Sequence, residues 1–278
     1  MLKPDLHTHT NFSDGALSPK DLVHRAVHNG VTHLAITDHD TTDAYRDFPE
    51  LTVPGLTLVP GVELSARWMK IGIHIVGLNI HPDNAELRAG IALQQNTREE
   101  RAQQIATRLR KLGLPDLLSE VRELAGDSTI GRPHFAQCLV KHGHSKDMRA
   151  AFKKYLGNGK AGDVMHLWPA QTEVIEWITA AGGIAVLAHP ARYKLTATKL
   201  RELVRDFCDA GGGAIEVVSG SQTTETTNKL AVLANEHDLF ASCGSDFHHP
   251  DNRWADLGKF APLPADVTPV WEQWITTA

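Results

Sequence analysis

The sequence predicts an α/β fold: seven short parallel strands closed into a β/α barrel with a helical segment inserted part-way along the chain. Three observations predict it. Short apolar runs rich in Val, Ile and Leu recur along the 278 residues, and continuous runs of that kind suit strands buried on both faces. Helical patterns separate many of them, and strand–helix alternation implies parallel pairing. His or carboxylate residues close run after run, and a barrel is the economical way to bring such strand ends onto one face.

Taken in order, "PDLHTH" (4–9) opens the series. A helix follows over 17–30, with Ser18 as N-cap, Pro19 at its first position, Asp21 in its first turn and Gly30 just past its end. "HLAITDHD" (33–40) ends in Asp38, His39 and Asp40, "LTLVPGVELS" (56–65) carries Glu63 at its end, and "GIHIVGLNI" (72–80) holds His74 within the run. An amphipathic helix at 169–183 leads into "GIAVLAHPAR" (183–192) with His189. A second, at 198–212, leads into "GAIEVVSGS" (213–221) with Ser219. "LFASCGSDFHH" (239–249) closes the series with Asp246 and His248.

Composition narrows the function. With 42% hydrophobic and 22% charged residues the chain reads as folded, not disordered. A formal charge of −5 argues against a broad polycationic nucleic-acid surface and leaves room for a local basic pocket. The three cysteines, Cys138, Cys208 and Cys243, form no CxxC pair, which excludes a cysteine-based zinc site and fits reduced thiols in the cytoplasm. No basic-then-apolar leader and no run near the ~18 apolar residues of a membrane span are present. A cytoplasmic protein without a membrane or obligate protein partner is expected.

His7 and His9 point to one side of their strand, because side-chain direction repeats every two residues. In a barrel they would converge with His39, Glu63, His74, His189, Asp246 and His248, and with Asp14 from the turn "SDG". So many imidazoles and carboxylates at one mouth would stay unsatisfied without cations, so a metal cluster is predicted. Asp38 and Asp40 are expected to hydrogen-bond its surroundings. His24 and His28 fall on or near the wet face of the first helix and read as surface residues.

The middle of the chain reads as helices over 96–113, with Asn96 as N-cap, then 131–143 and 145–160. Arg132 to Lys160 holds seven Lys or Arg residues and one acidic residue, Asp147. Most of these read as a solvated face. "GRPH" and "GNGK" pair glycine with a cation, so Arg132, His134 and Lys160 are candidate anion-binding residues.

"DLHTHTNFSDG", "AITDHDT", "PGVELS", "AHP" and "GSDFH" together resemble the PHP (polymerase and histidinol phosphatase) family. "GRPHFA" and "YLGNGK" resemble its standalone bacterial subgroup of 3′,5′-nucleoside bisphosphate phosphatases and 5′→3′ exoribonucleases. The resemblance implies a distorted seven-stranded, TIM-like barrel made of residues 1–95 and 167–278, with residues 96–166 as a helical insertion covering the active site. It implies two or three divalent ions, Mn with Zn or Fe as alternatives. His7, His9, Glu63 and Asp246 would hold one, Glu63 would bridge to a second at His74 and His189, and Asp14, His39 and His248 would form a third site. The implied substrates are nucleoside 3′,5′-bisphosphates or short 5′-phosphorylated RNA, attacked by a metal-bridging hydroxide, with His134 or Asp246 moving protons and Ser219 touching substrate. The rival expectations are another phosphatase such as histidinol-phosphate phosphatase, a C–N amidohydrolase, or a non-catalytic PHP module.

Overall fold

The computed structural model describes residues 2–48, 52–251 and 255–274. Its strands form two sheets. The first, ordered β1–β2–β4–β3, contains β1 (Pro4–Asp5), β2 (His33–Leu34), β3 (Thr52–Val53) and β4 (Leu56–Leu58). The second runs β5 (Gly61–Trp68), β6 (Ile71–Leu78), β7 (Ile184–Leu187), β8 (Ala214–Ser219) and β9 (Phe240–Gly244). The α/β class stands, but the sheet is not a closed seven-stranded barrel.

Two local causes explain the departure. The run expected over 56–65 breaks at Val59–Pro60, because proline has no N–H to extend a ladder, and the chain passes there from one sheet to the other. Next, β5 and β6 form an antiparallel hairpin, and β6 also pairs antiparallel with β7. Among the named strands, β1–β2–β4 and β7–β8–β9 keep the parallel pairing that strand–helix alternation implies.

The sheets meet at two seams, each marked by an isolated bridge: Thr8 with Phe247, beyond β1 and β9, and His39 with Glu63, beyond β2 and on β5. At the first, the Asp246 N–H donates to the His7 carbonyl and the His9 N–H to the Phe247 carbonyl, both at 2.9 Å. At the second, the Asp40 N–H donates to the Glu63 carbonyl at 2.9 Å. Gly244 permits the first approach, since a Cβ there would collide with the His7 backbone and Cβ.

Helix α1 (Pro19–His28) matches its sequence signals: the Ser18 hydroxyl accepts from the Asp21 N–H. Helix α2 (Ala85–Arg110) starts well before the expected Asn96. Its N-cap is Asn84, whose side chain accepts from the Glu86 and Leu87 N–H groups at 3.0 Å, and Asn96 lies mid-helix. The early start is held by packing: Leu87 and Ile91 join the core of the second sheet, and Trp177 covers Gly90 so closely that a Cβ would not fit. Farther along, Ala102, Ile105, Ala106 and Leu109 belong to a separate core with α3 (Leu118–Ala125), α4 (Arg132–Lys141) and the short α5 (Met148–Ala151), which runs into a π-helical turn at Phe152–Leu156. Helices α6 (Gln171–Ala180) and α7 (Ala197–Asp209) fall where expected, and α8 (Thr224–Glu236) links β8 to β9. Among the described residues no helix is long and apolar enough to cross a membrane.

Candidate metal centre

All nine sequence-predicted donors come together in one cluster, seven of them near the two seams and His74 and His189 from β6 and the turn after β7. Within 4.8 Å of one another lie ligand atoms of His9, Asp14, His39 and His248; of His7, His9 and Asp246; of His7, Glu63 and His189; and of His39, Glu63 and His74. Glu63 is the hub. Its Oε2 lies 3.3 Å from Nε2 of both His7 and His9 and 3.0 Å from His39 Nδ1. Its Oε1 lies 2.8 Å from His74 Nδ1 and 3.0 Å from His189 Nε2. Asp14 Oδ1 lies 3.2 Å from His248 Nε2.

The backbone turns sharply to aim these side chains. Asp40, His189 and Asp246 adopt φ values of +52°, +30° and +54°, a left-handed region that non-glycine residues enter at a cost and that clusters at functional sites. Each lies just past the end of a strand or bridge, so the turn that ends the ladder also swings its side chain inward or beneath the cluster.

The donor set fits divalent cations. His7 Nε2 and His9 Nε2 approach to 3.1 Å, where two imidazole lone pairs need a proton or a cation between them. His9 Nδ1, Asp14 Oδ1, His39 Nδ1, Glu63 Oε2 and His189 Nδ1 are buried without a hydrogen-bond partner, and each such atom costs about 1–3 kcal/mol if left unsatisfied. Burial opposes ionisation of Glu63, Asp14 and Asp246, but the facing imidazoles outweigh it and hold all three carboxyls well below their usual range. Burial pushes His39 and His74 down, whereas at His7 and His248 burial is outweighed by facing carboxylates that push His7 up and His248 up to about 10, so a bound cation would displace protons from those two rings. Nitrogen and oxygen donors in this ratio suit Mn, Zn or Fe.

Carboxylates beneath the cluster hold its frame. Asp38 accepts from the Thr10 N–H at 2.7 Å, the Thr10 hydroxyl at 2.5 Å and the Ser13 hydroxyl at 2.6 Å. Asp40 accepts from the Ser65 N–H at 2.8 Å and from Arg98 Nε at 2.6 Å. Both were expected to act on the surroundings, and they do.

A cleft of about 200 Å³ opens beside the cluster, lined at once by Asp14, His39 and His74 and by Arg98, Arg101 and Arg132. Arg132 is where the sequence suggested. Arg98 and Arg101, inside the helix expected over 96–113, are not among the sequence candidates. Their i, i+3 spacing on the face that carries Ala102 and Ile105 was the available signal. Arg98 is committed to Asp40, whereas Arg101 donates to the Val164 carbonyl at 2.7 Å and Arg132 to the Leu156 carbonyl at 3.2 Å. Among the described residues neither Arg101 nor Arg132 has an ion-pair partner, although Asp163 lies near enough to affect both. Burial depresses both guanidinium pKa values, that of Arg101 strongly.

The remaining sequence candidates are placed less centrally. His134 is buried at the start of α4, where its Nδ1 accepts from the Gly131 N–H at 3.0 Å, and burial lowers its pKa. Lys160 is exposed and does not line the cleft. Ser219 ends β8 with its hydroxyl buried and unpartnered. Two residues that sequence reasoning passed over touch the cluster directly: Arg192 donates to Asp246 Oδ2, and Glu216 lies 3.0 Å from His7 Nδ1.

Residues 5–157 match the PHP domain. The chain belongs to the PHP domain family. The matched region of this PHP protein contains six of the nine donors, while His189, Asp246 and His248 lie beyond it. Full-length relatives cover those too. The 5′-3′ exoribonuclease Rnm of Escherichia coli K12 is 46% identical over 97% of this chain and 93% of its own. The 3′,5′-nucleoside bisphosphate phosphatase of Chromobacterium violaceum is 40% identical over 98% and 96%. Among solved structures, a Chromobacterium violaceum amidohydrolase with bound sulfate and no metal superimposes with a TM-score of 0.89 at 39% identity, over 98% of this PHP chain and 95% of that one.

Proposed function

We propose that this protein is a metal-dependent phosphoesterase that hydrolyses the 3′-phosphate of nucleoside 3′,5′-bisphosphates and removes 5′-mononucleotides one at a time from 5′-phosphorylated RNA. One observation carries the reading: Asp14, His39 and His74 of the donor cluster line the same cleft as Arg101 and Arg132, which have no ion-pair partner among the described residues. The relatives named above add weight to the substrate class.

His7, His9, Glu63 and Asp246 would hold one divalent ion, Glu63 with His74 and His189 a second, and Asp14, His39 and His248 a third, with Mn favoured over Zn or Fe. Bound ions supply an acidified water, a hold on the phosphoryl oxygens and stabilisation of the leaving 3′-oxygen. The chain's own residues do the rest. Arg132 and Arg101 anchor the 5′-phosphate, since guanidinium forks match phosphate oxygens in pairs. Anchored there, the nucleotide presents the phosphorus on its 3′-oxygen to the cluster. If that phosphorus is terminal, phosphate leaves; if RNA continues beyond it, one 5′-mononucleotide is released.

His134 Nδ1 is taken by the Gly131 N–H, so the neutral ring carries its proton on Nε2 and can serve as a hydrogen-bond donor. Asp246 is occupied on both oxygens, by His7 and His9 on Oδ1 and by Arg192 on Oδ2, which makes it a ligand rather than a proton donor. Residues 96–166 cover the site and supply Arg98, Arg101 and Arg132, and the three free cysteines suit the cytoplasm.

The test is phosphate release from adenosine 3′,5′-bisphosphate and from its 5′-hydroxyl counterpart by Mn-loaded protein, with Arg132→Ala alongside. Loss of a charge-assisted contact should lower kcat/KM about 10- to 100-fold, whether by removing the 5′-phosphate or by removing Arg132. Equal turnover of both substrates by the wild type would refute the anchor.

A further inference from the structure

Glu216 is the one charged residue of β8, sits among Ile215, Val217 and Val218, and is only 2% exposed. Both of its oxygens are engaged. Oε1 accepts from His7 Nδ1 at 3.0 Å, and Oε2 accepts from the His189 N–H at 2.5 Å. The first bond sets the His7 tautomer: with its proton on Nδ1, the ring turns its Nε2 lone pair toward the cluster, 3.1 Å from His9 Nε2 and 3.3 Å from Glu63 Oε2. The second bond pins the left-handed backbone of His189, whose Nε2 lies 3.0 Å from Glu63 Oε1.

One buried carboxylate thus steers donors from the segment after β1 and from the turn after β7. We propose that Glu216 is a positioning residue, orienting His7 and His189 so that both present Nε2 to the metal centre. The inference rests on reading the cluster as such a centre. The contrasting role would be a plain structural tie between neighbouring strands.

Metal-stripped protein titrated with Mn²⁺, followed by calorimetry and by counting ions retained after gel filtration, separates the two. Glu216→Gln should weaken the tightest site about 10- to 100-fold, the range for losing a residue that orients a ligand. In a His7→Ala background the same change should matter far less, because its main target is gone. Unchanged affinity in Glu216→Gln, or an undiminished loss in the double variant, would overturn the proposal. Failure of the wild type to retain any ion would instead defeat the metal-centre reading, and the positioning role with it. Should Glu216→Gln not fold, nitrogen NMR of Zn-loaded wild type decides: His7 protonated on Nδ1 and coordinated through Nε2 is expected, and coordination through Nδ1 overturns the assignment.

Discussion

The donor cluster and the three arginines that meet it at one cleft are held in place differently. Most donors sit beside the sheet seams, fixed by backbone bridges such as Thr8–Phe247 and His39–Glu63, and His74 and His189 stand on β6 and just past β7 within the second sheet. The arginines reach in on long side chains, and each is steadied by a carbonyl from a different segment: Ile130 for Arg98, Val164 for Arg101 and Leu156 of the π-helical turn for Arg132. Disturbing the helical segment should therefore change substrate binding and spare the cluster, whereas disturbing a seam should abolish chemistry outright. Variants on each side can break or sharpen that contrast.

The largest effect is expected at Glu63, which faces five imidazoles. Glu63→Gln keeps the shape but loses the charge, and kcat/KM for adenosine 3′,5′-bisphosphate should fall by at least ~10³-fold. Phosphate release under saturating Mn checks it. A rate within tenfold of wild type would remove Glu63 from the reacting centre.

Asp40 joins the two regions, because its buried pair with Arg98 ties α2 to the end of the second strand's run. Asp40→Asn leaves that guanidinium buried without its counter-charge, which should cost about 3 kcal/mol of stability. Asparagine tolerates the φ of +52° at this position, so the loss reports on charge rather than backbone strain. Urea unfolding measures it, and retained Mn should stay at wild-type stoichiometry. A variant that unfolds like wild type would mean the seam and the helical segment are energetically independent.

The same contrast explains what was legible in the sequence. Donors were readable because residue type, strand-end position and two-residue spacing are all local, and "HTH", "AHP" and "SDFH" carry them. The α1 boundaries were readable for the same reason, since caps are local chemistry. The β5–β6 hairpin was not, because its turn places Met69 at φ +50° and carries none of the Gly or Asn signals of such turns. Arg98 and Arg101 left only a faint signal, their spacing beside Ala102 and Ile105, because the packing of α2 against its neighbours largely decides which arginines on a charged helix are buried. Glu216 left a signal that was overlooked: a lone carboxylate inside "AIEVVS" requires a partner.

The smallest effect should come from outside both regions. Asp256 is buried and joins α1 to the loop after β9, accepting from Arg25 Nε and Lys259 Nζ at 2.7 Å each. Burial would raise its pKa, but these hydrogen bonds outweigh it and hold the carboxyl at about 2, below its ordinary 3.8. A depressed folded-state pKa means that the unfolded chain takes up the proton first as pH falls. The stabilisation is therefore fully present above 3.8 and lost as pH drops through about 2. Because Arg25 and Lys259 are partly exposed, Asp256→Asn should cost only about 1 kcal/mol near neutrality. Urea midpoints of metal-free wild type and variant should differ by that amount at neutral pH and converge in acid. A gap that persists unchanged at about pH 2 would show that Asp256 acts through packing rather than charge, and that this edge of the frame is held as the core is.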